Sequence, residues 1–598
     1  MRLSRLYSNR PERFATVTFA RGLNVVFGEI RRPKDPSRDT HNLGKTTLGR
    51  IIDFCLLAGA DKKFFLLKHA ELFGSFVFFL EIELLDGSFV TVRRAVAEPT
   101  RISIRQHRER PVDLDDLPED SWDHSSVGFD RAKELLDGFL DLRDLKPWPY
   151  RKVVGYQLRA QEDFREVFHL KKFAGAHADW KPFLARILGF DASIIAAYYE
   201  QEKTLAEKKS QEEVVKAELG GGVGDVSKVE GLMLLKQQEA EKRQRILDGF
   251  DFSEVDRDKT RHVADDLDAR IGRLNQERYT LSVNRKKVQD SLKEDEILFD
   301  PKRATELFSE AGVVFAGQIK RDFEQLIAFN RAITDERHAY LKEELTEIDR
   351  ELKRVNAELR ELGQARRDEL AFVSGTDVFA KYKLATDELV TLRADIAMLE
   401  RQRAYLRRLQ DLRAEIRSAT EALGHLQTRI EQDVELQNSE KTSLFSKIRL
   451  YFSEIVEAVV ARKALLSVAP NQQGHIDFRA EILDEAGNST SADLGTTYRK
   501  LLCVAFDLAV ARAHLDGRYP RFVFHDGVFE ALDDRKKRNL LEVMRHYADL
   551  GLQQVVTVID SDLPTRLEGE APLFDGAEIV LNLHDEDESG RLFKMKPW

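Results

Sequence analysis

The 598-residue chain has only two cysteines, Cys55 and Cys503, and both sit in apolar, helix-like segments. Two such thiols exclude a disulfide framework and a thiolate metal site. No apolar run approaches the ~20 residues of a membrane span. The start, Met1-Arg2-Leu3-Ser4-Arg5, lacks the apolar core of a secretory signal, so the expected location is cytoplasmic with no membrane contact. Excess positive charge is also missing. With a formal net charge of −10, any nucleic-acid contact must come from a local basic patch. Proline is scarce, and between residues 192 and 446 Pro301 stands alone.

What is abundant is charge on an apolar frame: 33% charged and 42% hydrophobic residues. That is enough to bury a core, and the surplus of charge points to long exposed helices. From about Ala192 to Ser446 the composition is Glu, Lys, Arg, Gln, Leu and Ala. Leu341, Leu345, Ile348, Leu352, Val355, Leu359 and Leu362 alternate spacings of four and three, the seam of a left-handed coiled coil. A second seam, Leu389, Leu392, Ile396 and Leu399, resumes in shifted phase as Leu409, Leu412, Ile416, Ala419, Leu423, Leu426 and Ile430. A weaker one, Leu267, Ile271, Leu274, Leu281, Val288 and Leu292, is the candidate partner strand. Pro301, Gly312 and Gly317 interrupt the pattern, which places a reversal near 298–319 and predicts an antiparallel hairpin rather than a parallel dimeric coil. Gly220-Gly221-Gly222-Val223-Gly224 and Val373-Ser374-Gly375-Thr376 read as elbows, one in each arm.

The flanking segments are β-rich. Ser75–Leu84 and Ser88–Val96 form a predicted hairpin across Leu85-Asp86-Gly87. The run Leu23-Asn24-Val25-Val26-Phe27-Gly28 leads to Asn42-Leu43-Gly44-Lys45-Thr46-Thr47, which opens a helix. A strand, a glycine turn and Gly-Lys-Thr at a helix start build a phosphate cradle from backbone N–H groups. Lys45 would reach the β- and γ-phosphates, and Thr46 would hold Mg²⁺. Fifteen residues, Glu29 to Leu43, separate Gly28 from Gly44, where the usual pattern has about four. The insertion, residues 30–40, carries two prolines and is expected to move and to fold over the site when nucleotide binds.

At the far end, Asp493-Leu494-Gly495-Thr496-Thr497-Tyr498 opens an apolar helix, Leu501 to Ala511. Arg521-Phe522-Val523-Phe524-His525-Asp526 is a strand ending in an acid, where a phosphate-loop protein holds Mg²⁺. Asp533 follows in Ala531-Leu532-Asp533, then a helix and the strand Gln554 to Ile559.

This order of motifs resembles the coiled-coil ATP-binding-cassette ATPases, the group of the SMC, RecF and RecN types. The interrupted loop and His-Asp-Gly look most like SMC-like proteins of bacterial defence operons. The resemblance implies an α/β fold in which an N-terminal lobe (residues 1–190) and a C-terminal lobe (447–598) assemble one ATPase head, with an antiparallel coiled-coil arm (191–446) inserted between them. It implies ATP and Mg²⁺ as cofactors. Gly28, Asn42, Gly44, Lys45, Thr46 and Thr47 would form the nucleotide loop, Gln161 the Q-loop (with Gln157 as second choice), and Asp533 the D-loop. Gly495, Thr496 and Thr497 would be the signature that meets the γ-phosphate held by a second copy, although two threonines stand where the family has glycines. Thr46, Gln161 and Asp526 would hold the metal.

Two departures bear on catalysis. The family's general base directly follows the acid at Asp526, and here that position is Gly527. The switch histidine is replaced by Asp560-Ser561-Asp562, which leaves Glu530 or Asp560 as substitutes, or else very slow turnover. On this reasoning Gly527→Glu would speed hydrolysis. There is no Cys-x-x-Cys at the reversal, so a zinc hook is excluded. The implied function is a slow ATPase whose heads pair as a homodimer around ATP, with DNA and accessory or effector proteins as partners. The rival is a nucleotide-switched protein scaffold with no DNA contact, and a third possibility is a structural coiled coil with a decayed site.

Overall fold

The computed structural model describes residues 1–32, 43–110, 113–170, 175–219, 225–250, 254–293, 317–371, 377–488, 490, 495–530, 532–565, 572–596 and 598. At 219, 254–264, 293, 317–337, 369–371, 377–380 and 496 only the backbone is described. The chain divides into two compact units: Met1–Lys203 with Glu421–Trp598, and Thr204–Thr420. The expected α/β class, a head made from both ends of the chain with helical arms between, is what the structure shows.

The strands of the first unit, in chain order, are β1 (Arg2–Ser8), β2 (Val17–Thr18), β3 (Leu23–Glu29), β4 (Val77–Glu83), β5 (Phe89–Ala95), β6 (Arg101–His107), β7 (His124–Gly128), β8 (Leu158–Arg159), β9 (Ala464–Pro470), β10 (Ile476–Ile482), β11 (Phe522–His525), β12 (Gln553–Ile559) and β13 (Ile579–His584). They form an antiparallel sheet β2-β1-β4-β5-β6-β7, a hairpin β10-β9, and a sheet β13-β3-β12-β11-β8 whose pairs are all parallel. Parallel sheets are covered on both faces, and β11 and β12 are accordingly buried along their whole length. The parallel sheet takes β3 and β8 from the first part of the chain and β11, β12 and β13 from the last. Neither end can complete it alone. Ligands of such sheets bind at the carboxyl ends of the strands, and those of β3 and β11 carry Gly28 and Asp526.

The predicted hairpin is β4–β5, closed by Gly87 at φ 85°, a left-handed conformation that glycine adopts without a Cβ penalty. The helices entering and leaving the arm start inside the head. Ile194, Ile195 and Tyr198 of Ala192–Leu219, and Ile430 and Val434 of Asp377–Ser439, are buried in the head core. For that reason the division falls at 203/204 and 420/421 rather than at the composition changes near 190 and 446.

In the second unit, Glu254–Lys293 packs on Gly317–Ala371. Their ion pairs are Arg366–Asp268 at 3.1 Å, Arg354–Glu277 at 2.7 Å and Arg285–Asp349 at 2.6 Å, so one helix rises in number as the other falls. The pairing is antiparallel, and the weak seam at Leu267–Leu292 is the partner of the strong one at Leu341–Leu362. The second seam instead faces Val226–Asp248: Val229 and Met233 bury against Leu399 and Leu406. Leu406, only 3% exposed, fills the gap between the two phases read from the sequence. The proposed elbows at 220–224 and 373–376, and all of the reversal before Gly317, lie outside the described residues. Gly317 itself opens a helix.

Candidate nucleotide site

The helix Lys45–Cys55 starts at Gly44, which has φ 102°. No side chain on the cap residue bonds that start and no acid lies in its first turn, so the partial positive charge there favours an anion. Apolar Leu48, Ile51, Ile52 and Phe54 sink the helix into the core and fix its direction. Lys45 is buried, and its Nζ lies 3.4 Å from where a Cβ on Gly28 would stand. The lysine therefore folds back over the end of β3.

Asp526, at the end of β11, is 1% exposed. Its Oδ2 accepts a 2.6 Å hydrogen bond from Thr46 Oγ1, 480 residues away in sequence. Its Oδ1 accepts from Thr557 Oγ1 at 2.6 Å, and Thr557 Oγ1 accepts in turn from the Gly527 N–H at 2.8 Å. Thr557 on β12 thus fixes the carboxylate so that one oxygen meets Thr46. Sequence reading missed Thr557, although its place on the strand beside β11 is the signal.

Beyond Asp526 the chain turns at Gly527, φ 66°. A Cβ there would lie 2.5 Å from Glu530 Oε1 and 2.8 Å from Gln161 Nε2. The space after the acid is already filled by the carboxylate of Glu530, which accepts from Gln161 Nε2 at 2.6 Å and pairs with Lys500 Nζ at 3.2 Å. Lys500 also donates to the Gly527 carbonyl at 2.8 Å. A side chain at 527 would have to displace the ends of Glu530 and Gln161 and would sit at a φ that side chains rarely adopt, a backbone cost that counts against the expectation for Gly527→Glu.

The largest buried polar group nearby was not anticipated. Arg159, on β8, donates from Nε and Nη2 to the two oxygens of Asp507, each at 2.7 Å, and from its remaining N–H groups to the carbonyls of Asp163, Glu166 and Val167. Asp507 also contacts His525 Nε2 at 3.0 Å. Burial alone would raise the Asp507 carboxyl; Arg159 and then His525 outweigh it and hold the group below its usual value. Through this cluster the Gln161–Arg165 turn, the helix Thr496–Ala513 and β11 share one fixed centre. The sequence signal was a single acid inside the apolar helix Leu501–Ala511.

The other candidates fall as follows. Asn42 lies outside the described residues, as does most of the 30–40 insertion. Gly495 is the extended N-terminal residue of the helix Thr496–Ala513, with no side-chain cap; Thr497 is half-buried, and the Thr496 side chain is outside the described set. Asp533 caps the helix Asp534–Asp549 through the Lys536 N–H at 3.0 Å, and its hydrogen bond to Lys536 keeps its carboxyl below the usual range. Asp560 is exposed and opens a short turn; among the described residues it has no hydrogen bond to Asp526 or Glu530. Gln157 is buried with its amide on the Tyr519 hydroxyl, 3.4 Å away. Of the two glutamines, Gln161 is the one that bonds Glu530 beside Gly527.

The residues fit a nucleotide with Mg²⁺. A hydroxyl and a carboxylate converge at an uncapped helix start, and hard oxygen donors suit that ion. Among the described residues no cluster of three His, Cys, Asp or Glu side chains could hold a metal alone. A phosphate loop has the same economy, because phosphate and water complete the shell.

Residues 455–597 match the family described as "Uncharacterised protein conserved in bacteria (DUF2326)", a span that includes Asp526 and Glu530 but not Lys45. No curated protein matches the chain in sequence. Among solved structures, the Smc head domain with a coiled coil and joint from Pyrococcus yayanosii is similar over 93% of this chain and 92% of that chain, at 14% identity and a TM-score of 0.35. The Smc head with an extended coiled coil from Pyrococcus furiosus, bound to the C-terminal domain of ScpA, is similar over 94% and 90%, at 13% identity and a TM-score of 0.35. For the Smc head domain from Thermotoga maritima the shares are 22% and 43%, at 12% identity and a TM-score of 0.15.

Proposed function

We propose that the chain is an SMC-like ATPase whose heads pair around ATP. The observation that carries this is the Thr46–Asp526 contact: two ends of the chain converge at 2.6 Å on the point where a phosphate-loop protein holds Mg²⁺. Lys45 and the helix start bind the phosphates, and Thr46, Asp526 and Gln161 hold the metal's shell. When bound, Mg²⁺ neutralises charge on the phosphates. Glu530 orients the attacking water from a position three residues later than usual, tethered by Gln161 and Lys500. Removing a positioned base costs roughly 10²–10⁴-fold, so a base shared with Lys500 implies slow turnover and a long-lived pair.

The signature start at Gly495, Thr496 and Thr497 is reached by a second copy, so ATP joins Lys45 of one head to Thr496 of the other. In keeping with the motif order, the load of the paired heads is DNA, and a separate effector carries the downstream chemistry. Mass photometry with ATP, ADP and no nucleotide tests the pairing. The expected result is doubled mass with ATP alone in the wild type and none in Lys45→Ala. The same mass in all three states overturns it. Duplex binding that weakens steeply with salt separates DNA from a protein-only load.

A further inference from the structure

The interrupted loop poses a physical problem. A cradle closed over fifteen residues instead of about four has no short connection to hold its two ends in place. The described ends are nevertheless fixed, and both are fixed by the same distant piece of chain. After β13, which runs parallel to β3 with Leu583 opposite Gly28 and His584 opposite Glu29, comes Asp585, only 5% exposed. Its Oδ1 accepts the backbone N–H of Arg31 at 2.7 Å and of Arg32 at 3.2 Å, the departing end of the insertion. The chain then turns through Glu588–Gly590, so tightly that a Cβ on Gly590 would run into the His584 carbonyl oxygen. It returns at Leu592, whose N–H donates to the Leu43 carbonyl at 3.0 Å, the incoming end. Leu592 Cβ stands 2.7 Å from where a Cβ on Gly44 would be. Leu592 is itself anchored, since its carbonyl accepts the Ala15 N–H at 2.9 Å and its neighbour Phe593 bridges to Phe14.

We infer that residues 585–592 are a bracket that sets the geometry of the nucleotide cradle, with Asp585 as its positioning residue. The ion pairs Arg31–Glu29 and Arg31–Glu586 are half-exposed and add little. The buried carboxylate on two backbone N–H groups is the part that fixes position, because a charged acceptor in a dry site makes a strong and directional bond. This rests on the phosphate-loop reading above and deepens it: the C-terminal end of the chain, which touches no phosphate, decides how well phosphate is bound.

The test is Mg·ATP affinity of the full chain. Asp585→Ala is expected to weaken it about tenfold while the head still unfolds cooperatively. Asp585→Asn, which keeps one oxygen acceptor, is expected to restore affinity to within about twofold of the wild type. A merely structural role would not separate the two variants in affinity. Wild-type affinity in Asp585→Ala, or an Asn variant as weak as Ala, overturns the bracket. If Asp585→Ala does not fold, hydrogen exchange in the wild type decides: slow exchange at the Arg31 and Arg32 amides supports it, and exchange at the rate of open chain overturns it. Lys45→Ala keeps the two readings apart. Unchanged affinity there removes the phosphate loop itself, whereas loss there with no effect of Asp585→Ala removes only the bracket.

Discussion

Arg159 and Asp507, 348 residues apart, form a two-bond ion pair in which neither side chain is more than 2% exposed. Each N–H of the guanidinium has an acceptor, so the charge is fully compensated only while Asp507 is ionised. Removing one member leaves a buried charge unmatched. Asp507→Asn and Arg159→Met are each expected to destabilise the head by roughly 3–5 kcal/mol, read as a lower urea midpoint.

The same pair sets a pH dependence. The Asp507 carboxyl is depressed in the fold, burial being outweighed by Arg159 and His525. Its contribution is therefore complete above the ordinary aspartate value of ~3.9 and is lost as pH falls through the lower folded value. The stability gap between wild type and Asp507→Asn should be full at neutral pH and shrink only in that acid range. A gap that closes between pH 7 and 5 would contradict the assignment.

Asp526→Asn should weaken ATP binding in the presence of Mg²⁺ by about tenfold or more and leave Mg²⁺-free binding nearly unchanged, because the lost charge serves the ion. Calorimetric titration with Mg²⁺ and with a chelator measures both.

Gly44→Ala carries two penalties. A side chain at φ 102° is strained by about 1–3 kcal/mol, and its Cβ meets Leu592 Cβ at 2.7 Å. Thermal unfolding should fall for Gly44→Ala, and ATP affinity with it. Trimming the opposite residue cannot return the backbone term, so the double variant with Leu592→Ala should not regain wild-type affinity.

Glu530→Gln should slow ATP turnover by roughly 10²-fold and lengthen the life of the ATP-bound pair. Gly527→Glu should give no faster turnover, because a side chain at φ 66° is strained and would have to push the ends of Glu530 and Gln161 aside. Steady-state hydrolysis of the two variants, side by side, settles where the acid acts.

What the sequence by itself determined is whatever depends on local period or local chemistry. The seam at Leu341–Leu362 is a helix in any context because its spacing follows the turn of the helix. Gly44-Lys45-Thr46 after an apolar strand and Asp526 at the end of another announce themselves through residue type and position. The head from two ends was legible too, since β-rich, apolar segments flank a helical middle. Only the tertiary structure decided relations between distant residues that share no period: Thr557 orienting Asp526, Arg159 on Asp507, and Asp585 clasping Arg31 and Arg32. It also placed the Glu530 carboxylate beside Gly527, close to where a side chain there would stand. These contacts gather around a parallel sheet that sets strands from the two ends of the chain side by side, β3 against β12 and β8 against β11, and no pattern in the chain encodes which of them will meet.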